Sequence, residues 1–177
     1  MEKYGHLAAA IRDVPDFPKP GILFKDITTL IGKAGLFAEV IDLLYERYKS
    51  SRIDLVAAIE ARGYLFASAL AYRLGAGLVP IRKPGKLPAE TVSISYALEY
   101  GTDSVEMHKD AIKPGERVIL LDDLLATGGT AAAACELIAG QGAELVGTAF
   151  VVELDFLAGR KRLVGYDVFS IVHFAGE

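Results

Sequence analysis

Apolar residues along this chain change their spacing several times, and each change marks an element. Over residues 35–50, Leu36, Phe37, Val40, Ile41, Leu44 and Tyr48 recur every three or four positions, with Glu39, Glu46, Arg47 and Lys49 between them. That period predicts an amphipathic helix whose charges form a solvated face. Residues 53–59 run Ile-Asp-Leu-Val-Ala-Ala-Ile, nearly all apolar, which predicts a strand buried on both faces. Further strands are predicted over 78–81, 118–121, 143–154 and 167–173. Helices are predicted over 1–12, 64–74, 131–138 and 155–163, the last short and carrying a basic cluster. Residues 14–21 hold Pro15, Pro18 and Pro20 and predict an extended segment, followed by a loop over 22–27.

A different spacing occupies 91–108. Val92, Ile94, Tyr96, Leu98 and Tyr100 alternate with Thr91, Ser93, Ser95 and Glu99; Gly101-Thr102-Asp103 turns the chain; alternation resumes through Val105 and Met107. This is the period of a hairpin, inserted between strands that otherwise alternate with helices. Insertions of this kind commonly act as lids or binding loops. The fold class expected is therefore α/β: a doubly wound, mainly parallel sheet with an inserted antiparallel hairpin flap. The expected organisation is a single domain over 1–177, with 84–110 as the flexible hairpin, or hood.

Candidate chemistry gathers where strands should end. After the run 118–121 come Asp122 and Asp123, then Ala126-Thr127-Gly128-Gly129-Thr130, then a helix. Small residues let backbone N–H groups crowd around an anion, and the helix adds its positive dipole end. The two acids stand beside this cradle, able to hold sugar hydroxyls or the water shell of a magnesium ion. Such a pairing reads as a ribose-phosphate site at the carboxyl edge of a sheet. Arg62, in the turn after residues 53–59, offers a second anion site. Arg82, Lys83 and Lys86 follow the next strand and together suit a polyanion, although Lys83 by itself reads as a surface lysine. Phe24 alone reads as a core residue, and Glu99 alone as an exposed acid on the hairpin.

Composition narrows the class. The chain has 177 residues, 52% hydrophobic and 24% charged, enough for a globular core. Its 19 basic and 23 acidic residues give a net charge of -4, which argues against a non-specific nucleic-acid binder. Cys135 is the only cysteine, so no intrachain disulfide forms and a reducing compartment is expected. No run approaches a membrane span and no signal pattern opens the chain, so a soluble, cytoplasmic protein is expected. His6, His108 and His173 are scattered and make no recognisable metal cluster. There is no Gly-x-Ser-x-Gly elbow and no Gly-x-Gly-x-x-Gly after the first strand. Gly85-Lys86 lacks the flanking residues of a Walker loop.

Beyond these local readings, the stretch 117–130 resembles the phosphoribosyl pyrophosphate signature of the type I phosphoribosyltransferases. Nearly the whole chain shares in the resemblance, through 16–26 (Asp-Phe-Pro-Lys-Pro-Gly-Ile-Leu-Phe-Lys-Asp), Glu60-Ala61-Arg62-Gly63, 82–88 (Arg-Lys-Pro-Gly-Lys-Leu-Pro) and 95–101 (Ser-Tyr-Ala-Leu-Glu-Tyr-Gly). The first and the last two of these point to the adenine-specific branch. The resemblance implies transfer of 5-phosphoribosyl from phosphoribosyl pyrophosphate to adenine, giving AMP and pyrophosphate in purine salvage, with Mg²⁺ as cofactor. It implies that residues 126–130 hold the 5-phosphate and that Asp122 and Asp123 hold the ribose hydroxyls. Arg62, in a turn that in this superfamily often follows a non-proline cis peptide, would contact pyrophosphate; Lys83 would bind substrate beside it, and Arg82 and Lys86 would add charge to the pyrophosphate, one or both of them across a dimer interface. Phe24 would stack on adenine while the backbone of Leu23 to Lys25 reads its edge. Glu99 would be catalytic, closing over the site and managing the base's proton, with Tyr100 beside it. No direct protein ligand to the metal is expected; the substrate would carry Mg²⁺, with water linking it to Asp122 or Asp123. A homodimer is implied, with small-molecule substrates, no nucleic acid and no membrane. Lys25 stands where the family often has arginine, and Tyr64 where it often has phenylalanine. The alternatives are a sister transferase for another purine or orotate, and a nucleotide-sensing regulator on the same fold. The negative charge and an intact Glu99 weigh against the regulator.

Overall fold

The computed structural model describes residues 3–97 and 101–176. Its frame is a five-stranded parallel sheet in the order β4 (Gly77–Ile81), β3 (Leu55–Ile59), β7 (Arg117–Leu125), β8 (Glu144–Leu154), β9 (Val168–Phe174). From β3 the chain crosses outward to β4, whereas from β7 it crosses the other way to β8 and β9. The order thus reverses between β3 and β7, and a crevice opens there at the carboxyl ends of the strands.

The crossovers cover opposite faces. On one face α3 (Ala34–Tyr48) buries Val40, Ile41, Leu44 and Tyr48, and α4 (Gly63–Leu74) buries Phe66, Ala67, Leu70 and Ala71. In α3 these are four of the six positions that the three-to-four spacing predicts, and the other two, Leu36 and Phe37, are half-buried. On the other face α5 (Gly129–Ala139) packs Ala133, Ala134, Leu137 and Ile138 onto Val118 and Leu120 of β7. Burying each large aliphatic or aromatic side chain stabilises the fold by about 1.5–3 kcal/mol. Cys135 is a buried free thiol within α5, its pKa pushed up to about 12 by burial.

The hairpin is β5 (Thr91–Ala97) paired antiparallel with β6 (Thr102–His108). Val92, Ile94 and Tyr96 pack toward the α5 side of the core, while Ser93, Ser95 and Ala97 are exposed, as the alternation requires. Leu98, Glu99 and Tyr100 lie outside the described residues. A backbone bridge between Arg82 and Glu106 ties the hairpin to the end of β4.

Several boundaries differ from the sequence reading. The N-terminal helix is only α1 (Gly5–Ala8), because Arg12–Pro15 forms β1 and pairs antiparallel with β2 (Leu23–Asp26). The proline-punctuated segment and the predicted loop are thus a second hairpin, whose connection is built around a cis Phe17–Pro18 peptide. A short helix, α2 (Thr28–Ile31), follows it. The 155–163 helix is two 3-10 turns, Asp155–Leu157 and Gly159–Leu163, parted at Ala158, whose φ of 52° breaks the helical path. Finally, β7 runs to Leu125, so both acids lie within the strand and not where it leaves the sheet. It pairs with β3 only as far as Leu121 but with β8 as far as Leu125. That overhang carries Asp122 and Asp123 past the end of β3.

Candidate active site

The turn after β3 and the overhang of β7 face each other across the crevice. Between them lies a cavity of about 230 Å³ lined by Arg62, Lys83, Asp122, Asp123 and residues 126–130. Nine of the predicted site residues therefore share one wall system.

Arg62 holds the N-cap position of α4, and the Glu60–Ala61 peptide just before it is cis. Its Nε lies 2.7 Å from Asp123 Oδ2. The approach lacks hydrogen-bond alignment, so Asp123 Oδ2 remains a buried oxygen without a donor among the described residues. Burial raises the pKa of Asp123, against the opposing pull of Arg62. Burial, and then the neighbouring Asp123, raises Asp122 well above the ordinary carboxylate range. Two acids held this way gain from any donor that enters the cavity: a sugar hydroxyl, or water on a divalent ion. The donor set, two carboxyls beside an anion cradle in one cavity, fits a cation carried in by a polyphosphate.

The loop 126–130 makes the opposite wall. Gly128 caps α5 with a φ of 81°, and Gly128 and Gly129 are buried while Thr127 is exposed at the rim. Free N–H groups at the first turn of an 11-residue helix stand at this wall, the arrangement that favours an anion. The loop is backed by Gly159 from the far end of the chain, a contact that nothing in the sequence signalled.

Arg82 and Lys86 do not line the cavity. Both turn to Glu60: Arg82 Nε at 3.0 Å and Lys86 Nζ at 3.3 Å, with the Lys83 amide donating to the same carboxylate at 2.7 Å. Burial pushes Glu60 up, but these three donors outweigh it and hold the carboxyl below its ordinary range. Glu60 thus gathers the cationic segment at the cavity's edge, a role that its place in the motif did not reveal.

The β2 segment borders Arg62. The Phe24 ring centroid lies 5.1 Å from the Arg62 guanidinium carbon and 5.0 Å from the Phe17 ring, which meets it edge-on. Val14, Phe17, Phe24 and Asp26 line a recess of about 270 Å³. Phe24 is thus not a closed core residue but part of an open aromatic wall. The Lys25 side chain is buried, pairing with Asp13 at 2.7 Å and lying 4.2 Å from the centre of the Phe174 ring. The Tyr64 hydroxyl, the addition over phenylalanine, donates to the Ile81 carbonyl at 3.0 Å and so ties α4 to the end of β4. Glu99 and Tyr100 lie outside the described residues.

Comparison with known proteins decides the family. The phosphoribosyl transferase domain family matches residues 31–176. An adenine phosphoribosyltransferase of Chloroflexus aurantiacus is 61% identical over 95% of this chain and 97% of its own. The chain belongs to the adenine phosphoribosyltransferase family. Among solved structures of that family, the protein from Thermoanaerobacter pseudethanolicus superposes with a TM-score of 0.93 at 53% identity, covering 96% of this chain and 99% of its own. The Saccharomyces cerevisiae protein, complexed with an imino-altritol bisphosphate and adenine, gives 0.88 at 44% identity, covering 94% and 97%. The α/β fold with a five-stranded parallel sheet and an antiparallel hairpin is thus that of the family.

Proposed function

We propose that this protein transfers the 5-phosphoribosyl group from phosphoribosyl pyrophosphate to adenine, releasing AMP and pyrophosphate. The observation that carries the reading is the single cavity that joins an anion cradle, two donor-hungry acids and Arg62, with an aromatic recess alongside. The cradle takes the 5-phosphate, and Asp122 and Asp123 take the ribose hydroxyls. Arg62 and Lys83 lie where a pyrophosphate would emerge, and Arg82 and Lys86 are held at the same edge by Glu60. Adenine stacks on Phe24, with backbone groups of Leu23 to Lys25 along its edge.

As the bond from C1 of the ribose to pyrophosphate breaks, positive charge builds on the sugar and negative charge on the leaving group. Fixed cations stabilise the second, and the carboxyl oxygens of Asp122 and Asp123 beside the ribose accommodate the first. Asp122 and Asp123 are the residues that would hold a Mg²⁺ ion brought in by the pyrophosphate, which would supply further neutralisation of the leaving group's charge. Glu99 on the hairpin accepts the proton lost by the base, a general-base role, and closure by Glu99 and Tyr100 keeps water from the activated sugar.

We also place the protein in the cytoplasm and as a homodimer. None of the described helices is long and apolar enough to span a membrane. Helix α4 leaves Leu65 and Tyr72 exposed, and the edge strand β4 leaves Leu78 exposed, an apolar face that a second copy would cover. Incubation with phosphoribosyl pyrophosphate, adenine and Mg²⁺ should yield AMP and pyrophosphate in equal amounts and stop on chelation. A protein that binds AMP yet forms none would overturn the enzymatic reading.

A further inference from the structure

Tyr96 stands where the hairpin meets the phosphate loop. Its ring packs against Gly129, so close that a Cβ there would lie 3.4 Å from a ring carbon. Its hydroxyl lies 2.9 Å from Thr130 Oγ1 and 3.1 Å from Asp103 Oδ2. Lys83 completes the group, pairing with the Asp103 carboxylate and reaching the Tyr96 hydroxyl at 3.4 Å. Three elements, β5, β6 and the segment after β4, thus converge on one hydroxyl of the cradle.

Counting protons fixes the direction of these bonds. Lys83 beside Asp103 holds that carboxyl below its ordinary range, so Asp103 is ionised and can only accept. Tyr96 has one proton, and it goes to Asp103. Thr130 also has one proton, and it goes to the Tyr96 oxygen. The cradle's last hydroxyl is therefore committed away from the cavity in this arrangement. A phosphate monoester is acceptor-only as well, and a charge-assisted bond to it is the stronger alternative. When the Thr130 proton turns to that phosphate, Thr130 Oγ1 becomes the acceptor, and the Tyr96 proton can swing from Asp103 to fill it. Asp103 keeps Lys83 throughout.

We propose that Tyr96 is a positioning residue for the phosphate loop, holding Thr130 through a hydrogen bond that reverses direction when a phosphate monoester binds and thereby seating the hairpin on the occupied loop. The inference rests on reading residues 126–130 as the 5-phosphate cradle. Chains of hydroxyls that polarise one another in a half-buried site strengthen each link, so losing the middle one weakens the bond at the end.

The test is calorimetric titration of the full chain with ribose 5-phosphate and with AMP, for the wild type, Tyr96→Phe, Thr130→Val and the double variant. Tyr96→Phe keeps the ring and its packing and should weaken both ligands by roughly 5- to 30-fold, the range of one lost hydrogen bond to a group that serves a charge. On the Thr130→Val background the same change should have less than a twofold effect, whereas on Thr130→Ser, which keeps the hydroxyl, the full effect should return. In turnover, the KM for phosphoribosyl pyrophosphate should rise with little change in that for adenine. Unaltered binding in Tyr96→Phe, or equal weakening with and without the Thr130 hydroxyl, would overturn the relay. Failure of the wild type to bind either ligand would instead overturn the reading of the cradle itself.

Discussion

Gly128 and Gly159 leave each other no room for a side chain. A Cβ on Gly128 would lie 2.4 Å from the Gly159 carbonyl oxygen, and one on Gly159 would lie 2.1 Å from the Ala126 carbonyl oxygen. The turn that carries Gly159 is itself pinned. Arg160 donates to both oxygens of the buried Glu153 at 3.0 and 2.6 Å and to the Val168 carbonyl at 2.8 Å, while Ser170 donates to Glu153 at 2.6 Å. The shape of the 126–130 loop, the proposed phosphate cradle, is therefore dictated in part by the end of β8 and the turn after it.

This predicts that Gly159→Ala raises the KM for phosphoribosyl pyrophosphate at least tenfold, since backbone must shift on one side or the other. Gly165→Ala is the control: its φ of 95° strains a side chain, but nothing lies within 4 Å of the new Cβ. It should lose about 1–2 kcal/mol of stability and leave that KM unchanged. Steady-state kinetics with thermal melts on both variants check the contrast.

Asp122 carries the second prediction. Its carboxyl is raised by burial and by Asp123, so the fold favours its protonated form. A raised acid adds stability below its unfolded pKa and gives it up as pH climbs through the folded value. Asp122→Asn should therefore melt higher than the wild type near pH 8, with the gap closing toward pH 4, about the unfolded aspartate value. The same variant should lose about 10- to 100-fold in kcat/KM, because an amide replaces a carboxyl whose two oxygens can both accept from the ribose hydroxyls. Melting curves across pH, paired with rates at pH 8, test both halves.

Glu60 behaves with the opposite sign. Its donors hold the carboxyl below the ordinary range, so its contribution is present at neutral pH and is lost on acidification through that lowered value. Glu60→Gln should destabilise the protein by about 1–3 kcal/mol at pH 7, with the difference shrinking in acid. Releasing Arg82 and Lys86 from their anchor should also raise the KM for pyrophosphate in the reverse reaction several-fold, while the KM for AMP stays near the wild-type value. Thermal melts at several pH values and reverse-reaction kinetics measure the two effects.

Much of this was legible in the sequence, for identifiable reasons. Continuous apolar runs and the spacing of Val40, Leu44 and Tyr48 place the sheet and its helices, because burial periodicity is a local property. The acids and residues 126–130 announce a cradle because strand, small loop and helix are contiguous. The roles of Glu60, Gly159, Tyr96 and Asp103 are not legible in the sequence, since each acts through a partner distant in the chain. The β1–β2 hairpin is hidden in the sequence because its prolines argue against strands in general, although an edge pair tolerates Pro15 at the end of β1.

The most direct measurement is a steady-state assay with phosphoribosyl pyrophosphate and Mg²⁺, supplying adenine, hypoxanthine, guanine, xanthine and orotate in turn, with Glu99→Ala alongside. Turnover with adenine alone, falling at least a hundredfold in the variant, is the predicted result. Turnover with another base in place of adenine, or an unimpaired Glu99→Ala protein, would contradict the account.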